Sequence, residues 1–226
     1  MGKNKLERFA ETGTFKNFVQ LPYYNLTEDF HLKNKWSSDF FGNNHPLFLE
    51  LGCGKGEYTV GLSRMYPENN YIGIDIKGAR MWRGAKTALE ENLANTGFLR
   101  IHINQINLFF GKNEISGIWI TFPDPQPQKA RANKRLTSPR FLERYKQFLK
   151  KDAVINLKTD NVGLFEYTLE VVEQQKHLLI AHTFDLYSSA IDSEASMIKT
   201  FYESRFLEEG KKICYLQFRL NQLEKI

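Results

Sequence analysis

The sequence predicts an α/β fold built on an open, mostly parallel sheet of seven strands that ends in an antiparallel hairpin. Three observations lead there. From Pro46 onward, short apolar runs alternate with amphipathic stretches whose apolar residues fall three and four apart, the pattern of repeated βα units. A glycine-rich turn follows the first apolar run and opens the first amphipathic stretch. Two further strand-like runs close the chain after the fourth βα unit.

Residues 1–44 are aromatic and basic with weak periodicity, including Lys3, Lys5, Arg8, Phe9, Phe15, Lys16, Phe18, Tyr23 and Tyr24. They read as an N-terminal extension packed on a domain that spans 45–226. The predicted strands are Leu47–Leu51, Asn70–Ile74, Leu99–Ile103, Ile115–Thr121, Ala153–Lys158, His177–Asp185 and Cys214–Leu220. Between them, Glu57–Met65, Lys77–Thr96, Pro139–Phe148 and Val162–Gln175 carry helical spacing.

Composition bounds the function. A chain of 226 residues with 42% hydrophobic and 25% charged residues buries a sizeable core and is neither disordered nor a fibrous repeat. Cys53 and Cys214 are too few and too far apart for a disulfide framework or a zinc site, so no metal is expected. The N-terminus has no apolar signal core and no run approaches a membrane span, which leads to the expectation of a soluble, cytoplasmic protein. Lys and Arg exceed Asp and Glu by 31 to 26, so the net charge of +5 permits a polyanionic partner without requiring one. The densest basic stretch, from Lys129 to Arg144, holds Lys129, Arg131, Lys134, Arg135, Arg140 and Arg144 against Glu143 alone.

The turn Glu50-Leu51-Gly52-Cys53-Gly54-Lys55-Gly56 lies between a predicted buried strand and a predicted helix. Glycines there permit positive φ and a close backbone approach to a ligand. A dinucleotide fingerprint needs two residues before its third glycine; here Gly52, Gly54 and Gly56 alternate, which fits NAD less well than S-adenosylmethionine. Glu50 favours a cationic sulfonium and disfavours a pyrophosphate. A purely structural βα turn is the alternative. Asp75 ends the second strand 19 residues beyond Gly56, where such folds place an acid on ribose hydroxyls, although a strand-end aspartate also serves as a helix cap. Asn104 follows the third strand and has an amide suited to an adenine edge, or is a plain turn residue.

The fourth strand runs into Phe122-Pro123-Asp124-Pro125-Gln126-Pro127-Gln128-Lys129. Open α/β sheets bind ligands at this edge, and three prolines stiffen the loop that holds Asp124. The basic stretch follows at once, so its cations border the predicted site, where a phosphate backbone can be gripped.

Glu50 to Gly56, Ile74-Asp75, the Phe122-to-Pro125 loop with its basic continuation, Lys158-Thr159-Asp160, and Thr200-Phe201-Tyr202-Glu203-Ser204-Arg205 followed by Gly210 together resemble the bacterial tRNA (guanine-7)-methyltransferase family. The resemblance covers nearly the whole chain, including Thr14-Phe15 in the extension. It implies a Rossmann-like class I S-adenosyl-L-methionine-dependent methyltransferase that modifies the variable-loop guanine of tRNA as a monomer or homodimer. It also implies that Glu50, Gly52, Gly54, Gly56, Asp75, Asn104 and Asp124 bind the cofactor, and that Asp124 is catalytic. Gln128, Lys129, Arg131, Lys134, Arg135, Asp160, Thr200 and Glu203 then face the substrate. The chain departs from the family in Gln126 for a tryptophan, Gln128 for a lysine that Lys129 can replace, and Asn104 for an aspartate. Read without the resemblance, Thr200 and Glu203 have the spacing of a helix-capping pair. Two rival readings are a class I methyltransferase acting on a small molecule or protein, which the basic stretch beside Asp124 disfavours, and an RNA-binding module without catalysis, which the intact glycine turn and acids disfavour.

Overall fold

The computed structural model of the chain describes residues 3–21, 28–191 and 194–221. Its elements are α1 (Lys3–Glu11), β1 (Phe18–Gln20), β2 (Leu47–Leu51), α2 (Glu57–Met65), β3 (Asn70–Asp75), α3 (Gly78–Glu90), β4 (Thr96–Arg100), β5 (Ile115–Thr121), α4 (Pro139–Tyr145), β6 (Leu149–Thr159), α5 (Val162–Gln174), β7 (Leu178–Thr183), α6 (Glu194–Met197), α7 (Phe201–Glu208) and β8 (Cys214–Arg219). The sheet runs β1-β4-β3-β2-β5-β6-β8-β7, parallel throughout except where β8 pairs antiparallel with β6 and β7. No helix among the described residues is long and apolar enough to cross a membrane.

Strand periodicity explains the two faces. Leu47, Leu49 and Leu51 of β2, with Ile72 and Ile74 of β3, Ile118 and Ile120 of β5, and Ile155 and Leu157 of β6, point into one buried layer beneath α4 and α5. The alternate residues Tyr71 and Trp119 point to the other face and pack with Tyr58 and Leu62 of α2. Glu50 sits on that second face, between Gly73 of β3 and Trp119 of β5 in register. Strand order reverses at β2, between β3 and β5, and a crevice opens at the carboxyl ends of these strands.

The sheet has eight strands where the sequence predicts seven. The additional β1 comes from the extension and pairs parallel with β4, Val19 opposite Leu99. Three residues are too short a run to show alternation, so only the paired edge reveals it. The extension is also pinned by Trp36, whose indole Nε1 donates to the Phe109 carbonyl at 2.8 Å and whose side chain is 1% exposed. Tyr23 and Tyr24 lie outside the described residues. The second predicted helix stops early, at Glu90, because Asn92 takes a left-handed φ of +56° and redirects the chain. β4 therefore begins at Thr96, three residues before the predicted strand.

Candidate active site

The glycine turn stands at the open end of β2. Gly52, Gly54 and Gly56 have φ of +77°, +56° and +73°. The amides of Gly52 and Cys53 both donate to the Ile74 carbonyl, at 2.8 and 3.1 Å, which lashes the turn to β3. Of these three, Gly56 is where side-chain absence matters most: a Cβ there would lie 2.4 Å from the Phe98 ring, in a conformation that side chains disfavour.

Glu50 is 3% exposed at the floor of the crevice. Its Oε2 accepts from the Thr59 amide at 2.8 Å and from the Thr59 hydroxyl, and its Oε1 accepts from the Thr121 hydroxyl at 2.7 Å. One carboxylate thus ties β2 to α2 and β5. Burial lifts its pKa from 4.5 to about 7, against the pull of the Thr59 and Thr121 hydrogen bonds; the Asp75 charge adds to the rise. Asp75 is half-buried and accepts from the Gly54 amide at 3.0 Å and the Lys77 amide at 2.9 Å. Burial, with the charges of Glu50 and Asp75, holds the Cys53 thiol well above its ordinary pKa, so it stays protonated.

These groups line a cleft of about 460 Å³ together with Asp124, Lys134 and Thr200. An adjoining hollow of about 420 Å³ shares Gly52, Asp75, Gln126 and Lys134 and adds Asn104 and Phe141. Both volumes suit small ligands. Asn104 is exposed and its carbonyl accepts from Arg144.

The proline loop bends sharply. Phe122 and Gln126, both with full side chains, have φ of +47° and +44°. The exposed Asp124 accepts from the Gln126 amide at 3.1 Å, which turns its carboxylate back on the loop. Lys129 and Arg131 are exposed on a 3-10 turn, Lys129–Lys134, and Gln128 is exposed just before it, all three beside the cleft rather than in it. Lys134 lines the cleft itself, and among the described residues Lys129, Arg131 and Lys134 form no ion pair. Arg135 is turned inward, its guanidinium bonded to the carbonyls of Pro125 and Gln126 and lying 4.2 Å from the Tyr167 ring centroid.

The last three substrate-side residues separate. Thr200 and Glu203 form a capping box at the start of α7: Thr200 Oγ1 accepts from the Glu203 amide and Glu203 Oε2 from the Thr200 amide, each at 3.2 Å. Glu203 is fully buried, and its Oε1 also accepts from Tyr187 and from Lys158 at 2.7 Å, so both oxygens are occupied by protein donors. Thr200 reaches the cleft. Asp160 lies outside the cleft lining, 3.7 Å from the Lys211 ammonium. Among the described residues no group of three or more His, Cys, Asp or Glu is arranged to hold a metal ion.

A family model described as "Putative methyltransferase" matches residues 44–216. The tRNA (guanine-N(7)-)-methyltransferase of Christiangramia forsetii is 51% identical over 96% of this chain and 98% of its own length. That of Bacteroides thetaiotaomicron is 48% identical over 98% of this chain and 88% of its own. The chain belongs to the tRNA (guanine-N(7)-)-methyltransferase family. The fold agrees: the 16S rRNA methyltransferase KamB superimposes with a TM-score of 0.63 at 11% identity, covering 89% of this chain and 99% of that one.

In this member of the family the cleft also presents Lys55, Lys77, Arg80 and Tyr202, none of which the sequence marks as a site residue, although Lys55 and Tyr202 lie within its motifs. Lys77 and Arg80 carry a legible signal, two cations within five residues of Asp75 at a helix start. Lys158 carries another, as a lysine directly after the mostly apolar run Ala153–Leu157. It is wholly buried and donates to the carbonyls of Ala195 and Ile198 as well as to Glu203, which fastens β6 to the segment bearing Thr200. Burial lowers its pKa and the Glu203 charge opposes that.

Proposed function

We propose that the chain transfers the methyl group of S-adenosyl-L-methionine to ring nitrogen 7 of the variable-loop guanine of tRNA. The observation that carries this reading is the family membership over nearly the full length, joined to a cleft whose floor is acidic and whose rim is cationic. The reaction belongs in the cytoplasm, catalysed by a monomer or homodimer without a metal. The domain 45–226 carries the chemistry and residues 1–44 extend it.

The residues present fit the cofactor. Gly52 and Gly54 present bare backbone to the cleft, and Glu50, Asp75 and Asp124 line it with carboxylates, a favourable setting for a sulfonium and an ammonium. Asp75 would take the ribose hydroxyls, Asn104 the adenine side, and Glu50 and the glycine turn the cationic end. Bound there, the cofactor supplies an electrophilic methyl carbon.

Ring nitrogen 7 carries an in-plane lone pair and no proton, so no general base is needed to start the attack. The protein's task is placement, which supplies roughly 7–11 kcal/mol of a barrier when reactants are well aligned. Guanine gains positive charge as its new bond forms. Asp124, at the cleft mouth and aimed by the Gln126 amide, stabilises that charge and accepts from the base's N–H groups. Thr200 borders the base side from the N-cap of α7, with Glu203 as its buried support. Gln128, Lys129, Arg131 and Lys134 face the phosphate backbone, and Asp160, beside Lys211, serves the substrate side.

The test is transfer of labelled methyl to an unmodified tRNA transcript, beside a second transcript altered only at the variable-loop guanine. Label on the first alone is expected. Label on both, or on neither while cofactor binding is intact, overturns the reading.

A further inference from the structure

We infer that Arg135 is a positioning residue: it clamps the loop that aims Asp124, and its charge is spent on this loop rather than on RNA. The inference rests on the proposed role of Asp124 in methyl transfer. Its observation is separate. Arg135 Nε lies 3.2 Å from both the Pro125 and the Gln126 carbonyl oxygens, and Nη2 lies 3.1 Å from the latter. One edge of the guanidinium fork therefore holds two successive carbonyls, while a face of the same plane rests on Tyr167 of α5 at 4.2 Å.

The loop needs such a hold. Gln126 sits at φ +44° with a full side chain, a conformation that persists only where surrounding contacts impose it. The same residue orients the carboxylate: its amide donates to Asp124 Oδ1 while its carbonyl is bound by Arg135. Pull on one end of that residue is thus transmitted to the other. Arg135 is also half-buried, whereas its neighbour Lys134 is exposed, lines the cleft and has no ion-pair partner among the described residues. The two adjacent cations divide the labour, Lys134 outward to phosphate and Arg135 inward to the loop.

Arg and Lys differ in the property that matters. An ammonium keeps the charge that a phosphate contact needs but cannot span two carbonyls in a plane and stack on a ring at once. Wild type, R135K, R135Q and K134A are compared by methyl-transfer kinetics on tRNA across a salt series, and by hydrogen exchange of residues 122–128. R135K and R135Q are expected to lower kcat at saturating tRNA by about tenfold to a hundredfold. Their KM for tRNA and its salt slope should stay within about twofold of wild type, since no phosphate contact is lost. Exchange in the loop should quicken in both. K134A should do the reverse, raising KM and flattening the salt slope with unchanged exchange. Wild-type kcat and loop exchange in R135K overturn the clamp, as does R135Q with raised KM, a flatter salt slope and a protected loop. If R135Q does not fold, R135K decides. If wild type does not methylate tRNA, the functional reading fails and the exchange comparison alone judges the clamp.

Discussion

Glu50→Gln is expected to make the protein more stable at pH 8 while weakening its hold on the cofactor. Glu50 has a pKa of about 7 in the folded chain against 4.5 for the free side chain, chiefly because burial penalises its charge. A carboxyl whose folded pKa is raised binds its proton more tightly in the native state. Its contribution is complete below pH 4.5 and is lost as pH rises through about 7. The shift of about 2.5 units, at 1.36 kcal/mol each, makes that loss on the order of 3 kcal/mol. About 2–3 kcal/mol of it falls between pH 5 and pH 8. Glutamine keeps the geometry: its oxygen accepts from the Thr59 amide and hydroxyl, its amide donates to the Thr121 hydroxyl, and it cannot ionise. Thermal midpoints of both proteins from pH 5 to pH 8 should therefore diverge with rising pH, E50Q gaining roughly 5–10 °C on wild type for a chain of this size. Calorimetric titration with S-adenosylmethionine should show wild-type affinity rising through pH 7, because the cation favours the ionised carboxyl, and a weak, flat affinity in E50Q. Parallel melting curves with a constant gap would refute the reasoning, since they would mean that Glu50 titrates alike in the folded and unfolded chain.

Asp124→Asn should lower kcat by about a hundredfold or more with an unchanged melting temperature, because Asp124 is exposed and its carboxylate acts on charge formed in the transition state; stopped-time methyl transfer at saturating tRNA measures it. Lys158→Met leaves the Glu203 charge buried without its cation and should cost about 3–5 kcal/mol in denaturant unfolding, more than half of which returns in K158M/E203Q. Gly56→Ala places a Cβ against the Phe98 ring at positive φ and should destabilise by about 2–4 kcal/mol, read from urea midpoints. Replacing Lys129 and Arg131 with alanine should reduce the slope of log KM for tRNA against log salt by about one per cation, with kcat preserved.

Much of this protein is written along the chain. The βα alternation needs only local periodicity, so seven of the eight strands, the glycine turn and the position of Asp75 are legible by reading. The loop carrying Asp124 is legible too, because prolines and a strand end announce it. Family membership follows from the same short motifs, since their spacing survives in sequence. What the chain conceals is the partner of each polar group. β1 becomes a strand only because β4 offers it an edge. Glu50 looks like a ligand-facing acid, and only folding shows that three protein donors already surround it and that burial pushes its pKa up to about 7. Lys134 and Arg135 are two equal charges in sequence, yet the backbone turn sends one to solvent and the other to a pair of carbonyls. Thr200 and Glu203 show their capping spacing, while the ion pair that seats Glu203 comes from Lys158, 45 positions away. Periodicity is a property of neighbours in the chain and survives there; hydrogen bonding, burial and charge pairing belong to neighbours in space, which only the tertiary structure brings together.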